Sequence, residues 1–128
     1  MKTLLNSMIA LALVVANTSA LAAPAQDDVS LGKRLFLRCA ACHAVSSQAP
    51  AKVGPHLQGI VGRKAGSVAR YSYSPAMRQA NLVWNQAALD RWLQSPESVV
   101  PGTTMGFAGL PKLGDRKALI AYLKIPSP

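Results

Sequence analysis

The sequence predicts an all-α fold in which several short helices and loops wrap around a centre that the chain does not fill by itself. Three observations lead there. Apolar residues recur at helical spacing in separate segments, and no run shows the strict alternation of a half-buried strand. Nine glycines and nine prolines cut the chain into short pieces. Both cysteines and one of the two histidines fall within Cys39 to His43. Short helices on glycine-rich loops make a poor core for so small a domain, so the concentrated chemistry marks where something else belongs.

Lys2 precedes an apolar run, Met8 to Ala16, followed by Asn17-Thr18-Ser19 and the small-residue stretch Ala20 to Ala23. That is the layout of a secretory signal peptide, with cleavage expected after Ala22: residues 1–22 are the signal and 23–128 one domain. The run is too short to suit an uncleaved membrane anchor, and no arginine precedes Arg34, which fits a mitochondrial transit peptide poorly. The expected location is the periplasm of a bacterium, without a permanent anchor. The chain's net charge is +9, and the domain keeps every cation but Lys2 together with all five acids. Such a balance favours acidic partners or anionic surfaces. The cations form no tract, and an exported protein rarely meets nucleic acid, so nucleic acid is not an expected partner.

After a loose Ala and Pro-containing leader, Asp27 or Asp28 is expected to cap a first helix with Val29, Leu35 and Phe36 on its buried face. From Ser46 to Ala69 the glycines and Pro55 predict loop and turn. Ser74-Pro75 offers an N-cap with proline at the first helical position, opening a short helix toward Asn81. Asn85 is expected to cap a firmer helix, with Ala88, Leu89, Trp92 and Leu93 at helical spacing and Pro96 ending it. Asp115 is the expected cap of the last helix, in which Leu119, Ile120 and Leu123 share a stripe before Pro126 and Pro128.

Cys39-Ala40-Ala41-Cys42-His43 has the spacing that attaches a c-type haem. Two thiols one helical turn apart add to the two vinyl groups, and the adjacent imidazole reaches the iron as proximal ligand. The alternatives are a structural disulfide and a thioredoxin-like redox pair. Neither needs His43, and the redox pair would follow a strand, which this sequence does not offer. The occupant of the sixth iron position decides between a closed site that transfers electrons and an open one that binds or activates small molecules. Candidates are His56, Met77 and Met105; the last lies in the irregular "PGTTMGF" loop, although most methionines only fill cores.

Taken with "GKRLF", "CAACH", "KVGPHLQGIVGRKAG", "YSYSPAM", "WLQSPESVVPGTTMGFAGL" and "LIAYLK" in that order, the chain resembles the small soluble class I cytochromes c, in particular the mitochondrial-like type of bacterial periplasms. The resemblance runs from about Gly32 to Lys124. It implies an all-helical fold around one covalent haem c, anchored by Cys39 and Cys42, with His43 and Met105 as axial ligands. It further implies that the Pro55 carbonyl holds the His43 ring, that Arg63, Tyr73 and Trp84 screen or hydrogen-bond the haem propionates, and that the Thr103 hydroxyl serves the methionine side. Gly32 and Phe36 match the place where the first helix crosses the last near Leu119 and Tyr122.

The implied function is single-electron transfer rather than enzyme catalysis. A quinol-oxidising cytochrome complex would be the donor and a terminal oxidase or reductase the acceptor, each docking through acidic patches onto a monomer. Three departures stand out. Trp92 lies where many relatives carry tyrosine. His56 replaces a more familiar asparagine and is expected to be a polar loop residue. Glu97, Ser98 and Thr104 stand where relatives often carry lysine, leaving Arg38, Lys52 and Lys112 as the expected docking charges. Without a methionine–iron bond the same chain would be an open-site sensor or enzyme, and without haem a thiol redox protein.

Overall fold

The computed structural model describes residues 26–125. The expected signal peptide, its cleavage point and the prolines at 126 and 128 lie outside the described residues. Five helices follow one another: α1 (Gln26–Phe36), α2 (Pro75–Gln79), α3 (Gln86–Gln94), α4 (Pro96–Val99) and α5 (Leu113–Leu123). Among the described residues there is no strand, only one isolated antiparallel bridge between Lys64 and Val83. The expected all-α class holds.

The frame is the crossing of α1 and α5. It occurs at Gly32, where a β-carbon would stand 2.1 Å from the Ala118 carbonyl oxygen and 2.7 Å from Tyr122 Cβ. Phe36, one turn on, sets its ring 5.5 Å from that of Tyr122. α3 packs on α5 and presents Ala88, Leu89, Trp92 and Leu93 to the interior. These four, with Leu119, Ile120 and Leu123 of α5, form most of the buried core. Arg116 of α5 is also buried, and its Nε donates to Asp90 Oδ1 of α3 at 2.8 Å.

The caps follow local chemistry where the chain turns sharply. Ser74 Oγ accepts from Met77 N at 3.2 Å with Pro75 in the first turn, and Asn85 Oδ1 accepts from Ala88 N at 2.8 Å. Elsewhere the boundaries differ from expectation. Asp27 and Asp28 sit inside the first turn of α1, where carboxylates favour the positive helix end, rather than capping it. α5 starts at Leu113, so Asp115 lies in its first turn and Lys112 occupies the cap position without a side-chain bond. The cause lies at Arg116, whose Nη1 binds the carbonyls of Leu110 and Pro111 and draws the preceding chain onto the helix start. α2 stops at Gln79, two residues short, and Asn81 takes φ 41° to turn the chain. Pro96 ends α3 as expected and also opens α4, since its ring suits a first helical turn.

Candidate functional site

α1 runs directly into the cysteine motif. Cys39 N and Ala40 N both donate to Phe36 O, at 2.8 and 3.0 Å, and His43 N donates to Cys39 O at 2.8 Å. One tight turn therefore carries Cys39, Cys42 and His43 into a common wall. The His43 Nδ1 lies 2.7 Å from the Pro55 carbonyl oxygen. A carbonyl only accepts, so Nδ1 carries a proton, and in the neutral imidazole Nε2 is the nitrogen left with a lone pair. Gly54 makes that approach possible: a β-carbon there would stand 2.5 Å from His43 Cε1.

The loop from Ser46 onward forms a second wall. Gly62 N, Ala65 N and Trp84 N bond to Trp84 O, Leu82 O and Arg63 O at 2.8–2.9 Å, a short antiparallel contact that brings Arg63 and Trp84 together. Arg63 is held by the carbonyls of Gln58 and His56, at 2.8 and 2.9 Å. Burial lowers its pKa, with Tyr73 acting the other way. Tyr73 accepts a hydrogen bond from Val68 N at 3.2 Å and meets the ring of Tyr71 edge-on, 4.6 Å between centroids. Burial raises the Tyr73 pKa, against the lowering effect of the Val68 bond and of Arg63. Trp84 is 6% exposed, its ring 5.1 Å from that of Trp92.

Met105 lies on the far side in sequence, in the loop between α4 and α5, and is partly buried against the core. Its backbone N donates to Thr103 Oγ1 at 3.3 Å. Together these segments enclose a cavity of about 510 Å³, within the ordinary range for a cofactor site. Cys39, Cys42, His43, Pro55, Arg63, Tyr73, Trp84, Thr103 and Met105 all line it. Leu57, Ile60, Leu89, Leu93, Leu119 and Leu123 supply an apolar lining. Of the other sixth-ligand candidates, Met77 also lines the cavity, whereas His56 belongs to the loop behind it. Burial raises the Cys39 thiol pKa, opposed by the charge of Arg38 and aided by Cys42.

Sequence reasoning passed over several residues of this site. Tyr71 lines the cavity and its hydroxyl donates to Val53 O at 2.9 Å, tying the 71–73 segment to the loop beside the cysteines. Its signal was the first of the two tyrosines in "YSYSP". Phe107 lines the cavity too, two residues beyond Met105. His56, expected to be a polar loop residue, has its Nδ1 buried with no partner among the described residues. Burial lowers its pKa and Arg63 lowers it further. The expected docking cations Arg38, Lys52 and Lys112 are all exposed, with Lys52 Nζ donating to Ala40 O.

A family model described as cytochrome c matches residues 29–125. The chain belongs to the cytochrome c family. Cytochrome c of Gibberella zeae is 48% identical over 101 residues, 78% of this chain and 95% of that protein. Cytochrome c2 of Rhodomicrobium vannielii is 43% identical over 123 residues, 96% of this chain and 95% of that one. Among solved structures, cytochrome cH from Methylobacterium extorquens superposes with a TM-score of 0.71 at 41% identity, covering 76% of this chain and 97% of its own. A cytochrome c carries covalent haem and transfers electrons through it. The residues present fit that group: two thiols, an imidazole with its outer nitrogen engaged, and a thioether border one largely apolar cavity. No described helix is long and apolar enough to cross a membrane.

Proposed function

We propose that Cys39 and Cys42 hold one haem c as thioethers, that His43 and Met105 are its axial ligands, and that the protein shuttles single electrons in the bacterial periplasm. The observation that supports this best is the convergence of both cysteines and His43, on one turn, with Met105, from a loop more than sixty positions away, on one cavity. Haem, when bound, supplies a one-electron redox centre. The chain's residues set its properties. Pro55 O fixes the tautomer and orientation of His43. The Met105 thioether is a soft ligand that favours ferrous iron, and burial disfavours the extra ferric charge, so both raise the potential. Arg63, Tyr73 and Trp84 offer donors and a counter-charge for the propionates, which need them when buried.

Electrons would enter and leave through transient encounters. Arg38 lines the cavity edge and is exposed, and Lys52 and Lys112 are exposed as well. These cations would steer acidic patches of a quinol-oxidising cytochrome complex and of a terminal oxidase or reductase onto the monomer, with an encounter rate that declines as salt rises. The test is a visible spectrum of the exported protein, reduced and then exposed to carbon monoxide. A c-type spectrum that survives denaturation with the chain and is unmoved by carbon monoxide is the expected result. A carbon monoxide shift would remove Met105 as a ligand, and a colourless protein would remove the haem reading altogether.

A further inference from the structure

We infer that the junction of α3 and α4, Leu93 to Glu97, is a clamp that sets the position of Met105, with Glu97 as its positioning residue. The inference rests on Met105 being an axial ligand, as proposed above. Met105 sits in a loop without regular structure between α4 and α5, where a ligand would otherwise swing freely. Both ends of that loop return to the same short stretch of chain. At its entry, Gly102 N donates to Glu97 Oε1 at 2.9 Å, while Thr103 N donates to Val100 O at 3.0 Å. At its exit, Leu110 N donates to Leu93 O at 2.7 Å. Gly109 lies against the same turn with φ 101°, and a β-carbon there would stand 2.1 Å from Gln94 O and 2.9 Å from Gln94 C.

The anchor is itself rigid. Pro96 is buried, and the Val100 N bond to Pro96 O at 3.0 Å closes the turn that carries Glu97. Between the two fixed ends the loop is stiffened from within, by Met105 N on Thr103 Oγ1 and by Phe107 N on Met105 O at 2.9 Å. Holding both ends removes conformations in which the sulfur lies away from the cavity, so less entropy is lost when Met105 takes up its ligand position. Glu97 is exposed, and a carboxylate on that surface would ordinarily be left to water; here it accepts a backbone N–H from the ligand loop.

The population of chains with Met105 off the iron can be read with free imidazole, whose apparent affinity for the ferric holoprotein scales with that open fraction. Imidazole would be titrated into wild type, Glu97→Ala, Glu97→Gln, Gly109→Ala and Met105→Ala, following the near-infrared band of thioether-ligated ferric haem. Glu97→Ala should raise imidazole affinity roughly three-fold, a size suited to one exposed charge-assisted bond. Glu97→Gln, whose amide oxygen still accepts from Gly102 N, should restore most of the wild-type value. Gly109→Ala should raise it about ten-fold or more through strain at a positive φ. Should Gly109→Ala fail to fold, the Glu97 pair decides. A wild-type band with unchanged imidazole affinity in Glu97→Ala would overturn the clamp alone. No band in wild type, and imidazole affinity equal to that of Met105→Ala, would overturn Met105 ligation and the clamp with it.

Discussion

Replacing Gly32 by alanine puts a methyl group into the crossing of α1 and α5. Its carbon would stand 2.1 Å from Ala118 O, against an ordinary contact that begins near 3.4 Å, so the helices would have to separate by about 1.3 Å. Nothing local can absorb that shift: the obstacle is backbone of α5, and Ala118 is 0% exposed. Overpacking of this kind costs about 1–3 kcal/mol. Pulling the helices apart also weakens the Phe36–Tyr122 ring pair, worth about 0.5–1.5 kcal/mol. Alanine's better helix propensity offsets about 1 kcal/mol. The net expectation is a loss of about 2 kcal/mol, or roughly 8–16 °C in Tm for a domain of this size. Thermal and denaturant unfolding of the holoprotein, followed by far-ultraviolet circular dichroism, would measure it. Ser30→Ala on the exposed side of the same helix isolates the propensity and should be neutral or slightly stabilising. If Gly32→Ala matched that control, the close crossing would not exist and the account of the fold would fail.

Other perturbations test other joints. Arg116→Met strands Asp90 and the Leu110 and Pro111 carbonyls and should cost about 2–3 kcal/mol by urea denaturation, with Arg116→Lys recovering only part because an ammonium lacks the planar fork; equal stability of Met and wild type would contradict this. Gly54→Ala forces a methyl against the His43 ring and should lower stability by about 1–3 kcal/mol and perturb the visible spectrum, whereas an unaltered spectrum would show that the ring is not held there. For His56 the folded pKa lies below the ordinary 6.5, so the unfolded chain takes up its proton first as pH falls. Stability from this group is full above 6.5 and declines as pH drops through that value toward the folded pKa. Unfolding of wild type and His56→Asn across that range should show a shallower acid limb in the variant, and parallel limbs would refute the assignment.

The elements that sequence reasoning locates share a property: their determinants lie within a few residues of one another. Ser74 with Pro75 and Asn85 are caps whose acceptor and donor are three positions apart, and the helical spacing of Ala88, Leu89, Trp92 and Leu93 is a single-segment pattern. The bridge that unites Arg63 with Trp84 has no such signature, because "GRKA" and "LVW" show no alternation and are paired only by the fold. Asp90 and Arg116 likewise become partners only once α3 lies on α5, and the bonds of the same Arg116 to the Leu110 and Pro111 carbonyls, not a local pattern, go with the start of α5 before Asp115. The short α4 escaped notice because the residue that stops one helix, Pro96, also starts the next.

The candidate site divides along the same line, for a chemical reason. Joining two thiols to one macrocycle and an adjacent imidazole to its iron requires particular atoms at a fixed short spacing, so the Cys39 to His43 turn can be read from five letters. Enclosing the same group requires only apolar volume, which Leu57, Ile60, Leu89 and Leu119 provide no differently from any other core residue. Met105 stands between these cases. Its sulfur is specific, but the loop that delivers it has no local pattern, and what holds it is a set of contacts to Leu93, Gln94 and Glu97 across the fold. If Met105 ligates the iron as proposed, the ligand's identity is a matter of one residue, whereas the strength with which it would stay on iron is a property of the junction between two helices.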